Sequence, residues 1–205
     1  MTTWLPLADW TSVLDALAGP GWIVLPDALP PALVAALREE LLAQDTQGAF
    51  HAAGIGRGQA HQLATAVRGD RIAWLRDDWP AAAQYLVWMD SLREQLNQGL
   101  FLGLAEYEAH YAAYAPGAGY RRHVDRHASG QGGARVVSTV CYLNAPDWPA
   151  AAGGELVMHP ADADPVRVPP EGGTLVVFRS DDLPHEVLAA QRHRLSIAGW
   201  FRTRD

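Results

Sequence analysis

The chain has 205 residues, a formal net charge of −7 and 49% hydrophobic residues, enough for one domain with a core of ordinary size. The acidic balance argues against nucleic acid as a partner, since phosphate binding needs a basic surface. No apolar run approaches the ~20 residues of a membrane span, and the N-terminus shows neither the basic start nor the apolar stretch of a secretory signal.

In chain order, Thr11 is placed to cap a short helix that stops at Gly19-Pro20. WIVL at 22–25 fits a buried strand. Pro30-Pro31 opens a helix over ALVAALREELLAQ, with apolar positions at Leu33, Ala36, Leu37 and Leu41. Residues 45–68, rich in Gly, Gln, Ala and His, read as a long loop with room for a strand or hairpin. The run Gly54-Ile55-Gly56-Arg57-Gly58 lacks the strand-before, helix-after setting of a dinucleotide loop. Pro80 begins a further helix that ends at Gly103. Beyond it the pattern changes. Short β-rich runs near 105–114, 119–125, 135–143, 154–159, 173–179, 185–189 and 194–203 are separated by Gly, Pro, Asp and Asn, the spacing of a sandwich or jelly roll. The single cysteine, Cys141, lies in the apolar run VVSTVCYL. It excludes an internal disulfide and reads as a buried thiol in a reducing, cytoplasmic setting.

Within the β-rich half, His123 and Asp125 stand two apart, which on a strand puts both side chains on one face. His185 follows the turn sequence Asp181-Asp182-Leu183-Pro184 and begins the strand HEVLA. Two histidines and one carboxylate are the donor set of a non-heme Fe(II) oxygenase site with open coordination positions. Zinc tolerates the same ligands at a hydrolytic site. Arg194 then begins RLSIAGWF, where alternation puts Arg194, Ser196 and Ala198 on one face. A 2-oxo diacid chelated to such an ion needs a cation for its far carboxylate. Arginine serves, with a hydroxyl from Tyr142 or Ser196 beside it; the zinc reading leaves Arg194 without a task. A lone H-x-D pair is a weak signal, and the added His185 and Arg194 strengthen it. The other histidines (His51, His61, His110, His127, His159, His193) read as surface or satisfied polar residues, with His127 the main rival as a ligand. The basic cluster Arg121, Arg122, Arg126 and Arg135 reads as a solvated strand edge rather than a docking patch.

The stretches YAPGAGYRRHVD, VCYLNAPDW, GGELVMHP, TLVVFRSDDLPHEV and RLSIAGWF resemble the iron- and 2-oxoglutarate-dependent prolyl hydroxylases, particularly the hypoxia-inducible-factor type and their bacterial homologues. GPGWIVLPDAL and VRGDRIAWL extend the resemblance upstream, more weakly. It implies an α+β, mainly β fold: a double-stranded β-helix (jelly roll) supported by N-terminal helices. Residues 1–205 then form one domain, with helical support and a mobile loop about 45–68 in 1–103 and the catalytic core in 104–205. It implies His123, Asp125 and His185 as iron ligands, Arg194 and Tyr142 as partners of the 2-oxoglutarate 5-carboxylate, and Tyr114 and Trp200 as pocket aromatics. The implied cofactors are Fe(II), 2-oxoglutarate and O2, with ascorbate. The implied reaction hydroxylates a prolyl residue of a protein substrate and releases succinate and CO2. An oxygenase acting on a small molecule such as a free amino acid, and a non-catalytic jelly-roll binding or sensing module, are the competing functions.

Overall fold

The computed structural model describes residues 10–54, 67–125 and 133–204. In chain order they form α1 (Trp10–Ala18), β1 (Trp22–Leu25), α2 (Pro31–Thr46), β2 (His51–Ala52), β3 (Asp70–Trp74), α3 (Pro80–Leu100), β4 (Leu104–Tyr114) and β5 (Tyr120–His123). Then follow β6 (Arg135–Tyr142), β7 (Leu156–Met158), β8 (Val166–Val168), β9 (Leu175–Arg179), β10 (His185–Val187) and β11 (Arg194–Thr203). The strands make two antiparallel sheets. The larger has the order β1-β9-β6-β11-β4-β3-β2, and the smaller β5-β10-β7-β8. This is the jelly roll expected from the spacing of the short runs.

The helices cover the outer face of the larger sheet. Prolines at the first turns of α2 and α3 pre-set the backbone where no intrahelical N–H is needed. Leu33, Leu37 and Leu41 recur every fourth residue, so one stripe of α2 is buried. Tyr85, Met89, Leu92 and Leu96, at intervals of three and four residues, make one buried stripe on α3 and join Leu175, Val177, Ile197 and Phe201 in one core. A second, smaller cluster fills the space between the sheets, with Val176 and Phe178 of β9 meeting Leu156 and Met158 of β7.

Strand alternation divides β11 between these layers. Leu195, Ile197 and Phe201 point to the helices, while Arg194, Ser196, Ala198 and Trp200 point into a cavity between the sheets. The face expected for Arg194, Ser196 and Ala198 is therefore the inner one.

Several boundaries differ from the sequence reading. Helix α1 begins at Trp10, so Thr11 lies inside it rather than capping it. Helix α3 ends at Leu100, where Phe101 turns left-handed at φ 54. Asn97 then exchanges both its amide atoms with the backbone of Leu104, at 2.7 and 2.8 Å, which turns the chain straight into β4. Helix α2 runs on through Thr46, and β2 is the strand for which 45–68 had room; residues 55–66 lie outside the described residues. The first half contributes more than helices, because β1, β2 and β3 all join the larger sheet. β3 and β8 were missed: both are short, and each carries an arginine and little periodic signal.

Candidate metal centre and its pocket

His123 closes β5, and His185, the first residue of β10, is its direct cross-strand partner. Asp125 lies in a bend just past β5 rather than on the strand. Two residues of regular strand advance the chain about 6.6 Å. The bend instead returns the carboxylate to the histidines. Donor atoms of His123, Asp125 and His185 all lie within 4.8 Å of one another, and among the described residues no other three His, Cys, Asp or Glu side chains converge in this way.

The imidazoles are held alike. His123 Nδ1 is 2.8 Å from the Arg121 carbonyl, and His185 Nδ1 is 3.0 Å from the Leu183 carbonyl. A carbonyl only accepts, so each Nδ1 carries the proton and each Nε2 presents a lone pair. Those Nε2 atoms stand 3.6 and 3.7 Å from the Asp125 oxygens, too far for hydrogen bonds. Three donors facing one another without bonding is an arrangement suited to an ion between them. Burial alone would raise the Asp125 carboxyl; the adjacent His185 and His123 side chains and a hydrogen bond from Ser138 outweigh it and hold the carboxyl below the usual range. Burial lowers His185, with Asp125 opposing, which favours the neutral imidazole that ligates metals.

The cavity has a volume of about 420 Å³. Arg194 lies at its far wall, 1% exposed. Its Nε donates to the Gly154 carbonyl at 2.9 Å and its Nη1 to Ser196 Oγ at 3.3 Å. Nη2 has no partner, and neither has the buried hydroxyl of Tyr142. No described carboxylate pairs with Arg194. The guanidinium lies 5.2 Å from the Tyr114 ring and 5.1 Å from the Tyr142 ring, so flanking π-faces hold it. Burial pushes the Tyr142 hydroxyl up to about 12, so it is a donor at neutral pH. A buried cation with spare donors is the receptor an anionic carboxylate requires.

Trp200 lines the opposite part of the cavity beneath Arg135, whose guanidinium sits 3.6 Å from the ring centroid. Of the basic cluster, Arg121 and Arg122 are exposed, while Arg135 pairs with Glu108 at 2.8 Å; Arg126 lies outside the described residues, as do His61 and His127. His110 is buried and satisfied as expected, but it also lines the cavity. Burial lowers it to about 4. Its Nδ1 reaches the Tyr111 carbonyl at 3.1 Å, which leaves Nε2 to accept from Arg68 at 3.3 Å. Arg68 also forks onto Asp70 at 2.7 and 2.9 Å and lies 5.0 Å from the Tyr120 ring, which stacks at 3.6 Å on His123. Sequence reasoning missed Arg68, Asp70 and Tyr120. Only the weak likeness of VRGDRIAWL pointed at the first two.

Residues 109–202 match the model of the 2OG-Fe(II) oxygenase superfamily. The crystal structure of a Pseudomonas putida prolyl-4-hydroxylase superposes with a TM-score of 0.85 and 44% identity, covering 95% of this chain and 99% of that one. The chain belongs to the 2OG-Fe(II) oxygenase superfamily. A second structure, a Trichoplax adhaerens prolyl hydroxylase with a hypoxia inducible factor oxygen degradation domain peptide, gives a TM-score of 0.82 at 28% identity over 94% of this chain and 88% of that one. A hypoxia-inducible factor prolyl hydroxylase of Caenorhabditis elegans is 30% identical over 146 residues, 66% of this chain. The chain spans about a fifth of the length of that relative. Oxygenases of this superfamily use Fe(II), 2-oxoglutarate and O2. The geometry fits both resident groups. Two bare imidazole nitrogens and a carboxylate suit a divalent ion, and the unpartnered Arg194 Nη2 and Tyr142 Oη suit a carboxylate.

Proposed function

We propose that this chain is an Fe(II)- and 2-oxoglutarate-dependent dioxygenase that hydroxylates a prolyl residue of a protein substrate. 2-Oxoglutarate, O2 and substrate are converted to succinate, CO2 and hydroxylated product. The observation that carries the reading is the buried Arg194 with a spare Nη2 beside the spare Tyr142 hydroxyl, across one cavity from the three converging ligands. His123, Asp125 and His185 hold the iron, which supplies the oxidative chemistry when bound. Arg194 takes the far carboxylate, with Tyr142 donating to it and Ser196 beside them. Tyr114 and Trp200 are the aromatic walls that orient the bound molecules and exclude water. Residues 1–205 act as one unit in this reading, since the helices back the sheet that carries Arg194 and Tyr142.

A protein substrate is supported by the peptide in the related Trichoplax structure and by the shape of the cavity, whose wall runs out to the exposed residues His51 and Trp74. A solvent-open wall admits a loop that remains attached to a larger body. Among the described residues no helix is long and apolar enough to cross a membrane. The lone buried thiol of Cys141 supports a reducing, cytoplasmic location, with ascorbate as an accessory reductant.

The test is incubation of the purified protein with Fe(II), 2-oxoglutarate and proline-containing loop peptides or cell extract. A gain of one oxygen atom on a prolyl residue, matched by succinate, is the expected result. Succinate formed with product only on free amino acids would replace the protein substrate with a small molecule. Failure to bind Fe(II) or turn over 2-oxoglutarate would leave a non-catalytic module.

A further inference from the structure

Ser138 is neither one of the converging side chains nor part of the cavity lining, yet it touches one of those side chains. Its hydroxyl donates to Asp125 Oδ2 at 2.7 Å, and its Oγ lies 2.8 Å from Ser180 Oγ. Both serines are 1% exposed. A serine hydroxyl has one proton to give. Asp125 is ionised and only accepts, so the Ser138 proton is committed to it. Ser180 is then the donor to Ser138, and the order Ser180 to Ser138 to Asp125 follows.

The relay joins three segments that the sequence keeps apart. Ser138 stands on β6, an interior strand of the larger sheet between β9 and β11. Asp125 occupies the bend after β5. Ser180 starts the turn that delivers His185, and its backbone N–H donates to the Val136 carbonyl at 3.0 Å. The carboxylate ligand and the second histidine are thereby referred to one rigid strand. The bond also distinguishes the two carboxylate oxygens. Oδ1 stands 3.6 Å from His123 Nε2, while Oδ2 stands 3.7 Å from His185 Nε2 and accepts from Ser138.

We propose that Ser138, backed by Ser180, is a positioning residue: it fixes the rotation of the Asp125 carboxylate so that this side chain serves the ion through one oxygen. Holding Oδ2 in a buried hydrogen bond opposes chelation by both oxygens and keeps a coordination position free. The neighbouring Thr139 faces the other way, with its hydroxyl 2.8 Å from that of Tyr107, so the two hydroxyls are not interchangeable.

The inference rests on the metal-centre reading above, and the experiment separates the two. Metal-free protein is titrated with Co(II), without 2-oxoglutarate or O2, and its visible absorption, which reports coordination number, is recorded. Ser138→Ala is expected to weaken Co(II) binding by roughly 10–100-fold, the scale of outer-shell losses, and to change the spectrum. Ser138→Thr should restore both. Ser180→Ala, which keeps the direct bond to Asp125, should give a smaller change in the same direction and reports the relay even where Ser138→Ala does not fold. Native affinity and spectrum in Ser138→Ala, or no recovery in Ser138→Thr, would overturn the positioning role. Asp125→Ala is the control. Native Co(II) binding in that variant sinks the metal-centre reading itself, whereas loss there with no effect of Ser138→Ala sinks the relay alone.

Discussion

Arg194 and His110 show two ways of placing a charged or chargeable side chain in a cavity wall. Arg194 keeps its charge, because guanidinium cannot be neutralised, and meets the cost of burial with two aromatic faces, the Gly154 carbonyl and the Ser196 hydroxyl. The unfilled donor is what a carboxylate completes. Lysine keeps the charge but loses the fork. Arg194→Lys is therefore expected to raise the 2-oxoglutarate concentration needed for half-maximal turnover about 10-fold or more while Co(II) affinity stays native; a loss of metal in that variant would mean its role is misassigned. His110 instead gives up its charge. Arg68, Asp70 and Arg135 surround it, Trp74 and Trp200 pack against it, and its folded-state value is about 4 against 6.5 for the free side chain. Because the folded value is depressed, the unfolded chain takes up the proton first. Stability from this residue is complete above pH 6.5 and is lost as the pH falls toward 4, by up to about 3 kcal/mol. Urea unfolding at stepped pH should show a shallower fall in that window for His110→Gln than for the native chain.

At the scale of elements, the start of α3 is held by another helix. Its N-cap position is Trp79, which offers no capping oxygen. Glu40 of α2 supplies both, accepting from the Ala81 and Ala82 N–H groups at 2.8 and 2.9 Å and from the Tyr111 hydroxyl at 2.7 Å. The carboxylate also sits at the positive end of the helix dipole. One side chain thus fixes α2, α3 and β4 together behind the cavity wall. Glu40→Ala strands two helix N–H groups and a buried hydroxyl, and should cost about 2–4 kcal/mol in chemical unfolding. A loss below 0.5 kcal/mol (on the order of a neutral surface change) would show that water replaces it. β11 works at the same scale: alternation gives it one face for Leu195, Ile197 and Phe201 and the other for Arg194, Ser196 and Trp200, so a one-residue slip would exchange core and site.

For the whole molecule, the cavity joins donors from both sheets, with His123 and His185 from the smaller and Arg194 and Ser196 from the larger. Ligands that bind across it should therefore stabilise the folded chain as a unit. Mn(II) and 2-oxoglutarate at about 100 times their dissociation constants are each expected to add about 2.7 kcal/mol, seen as a rise in the thermal midpoint, with the 2-oxoglutarate increment missing in Arg194→Lys. A 2-oxoglutarate increment that survives that substitution would place the anion elsewhere.

Much of the site was legible because its signals are local. The H-x-D spacing, the turn before His185 and the alternation after Arg194 are properties of short segments; period-2 geometry converts the last into a shared face, while the H-x-D pair converges through a bend rather than along a strand. The number and spacing of short strands likewise determined the class of fold. What no segment carries is the pairing of distant groups. The bend that returns Asp125 to His123, the Ser180–Ser138 support of that carboxylate, the Glu40 cap on α3 and the Arg68–Asp70–His110 wall each join groups brought together only when strands far apart in the chain become neighbours. Their partners are set by sheet order and burial, which are global quantities. The sequence by itself singled out two histidines, an aspartate and an arginine that meet at one cavity; the tertiary structure decided how each is held, because a buried polar group is positioned by whichever partner the folded interior brings within reach.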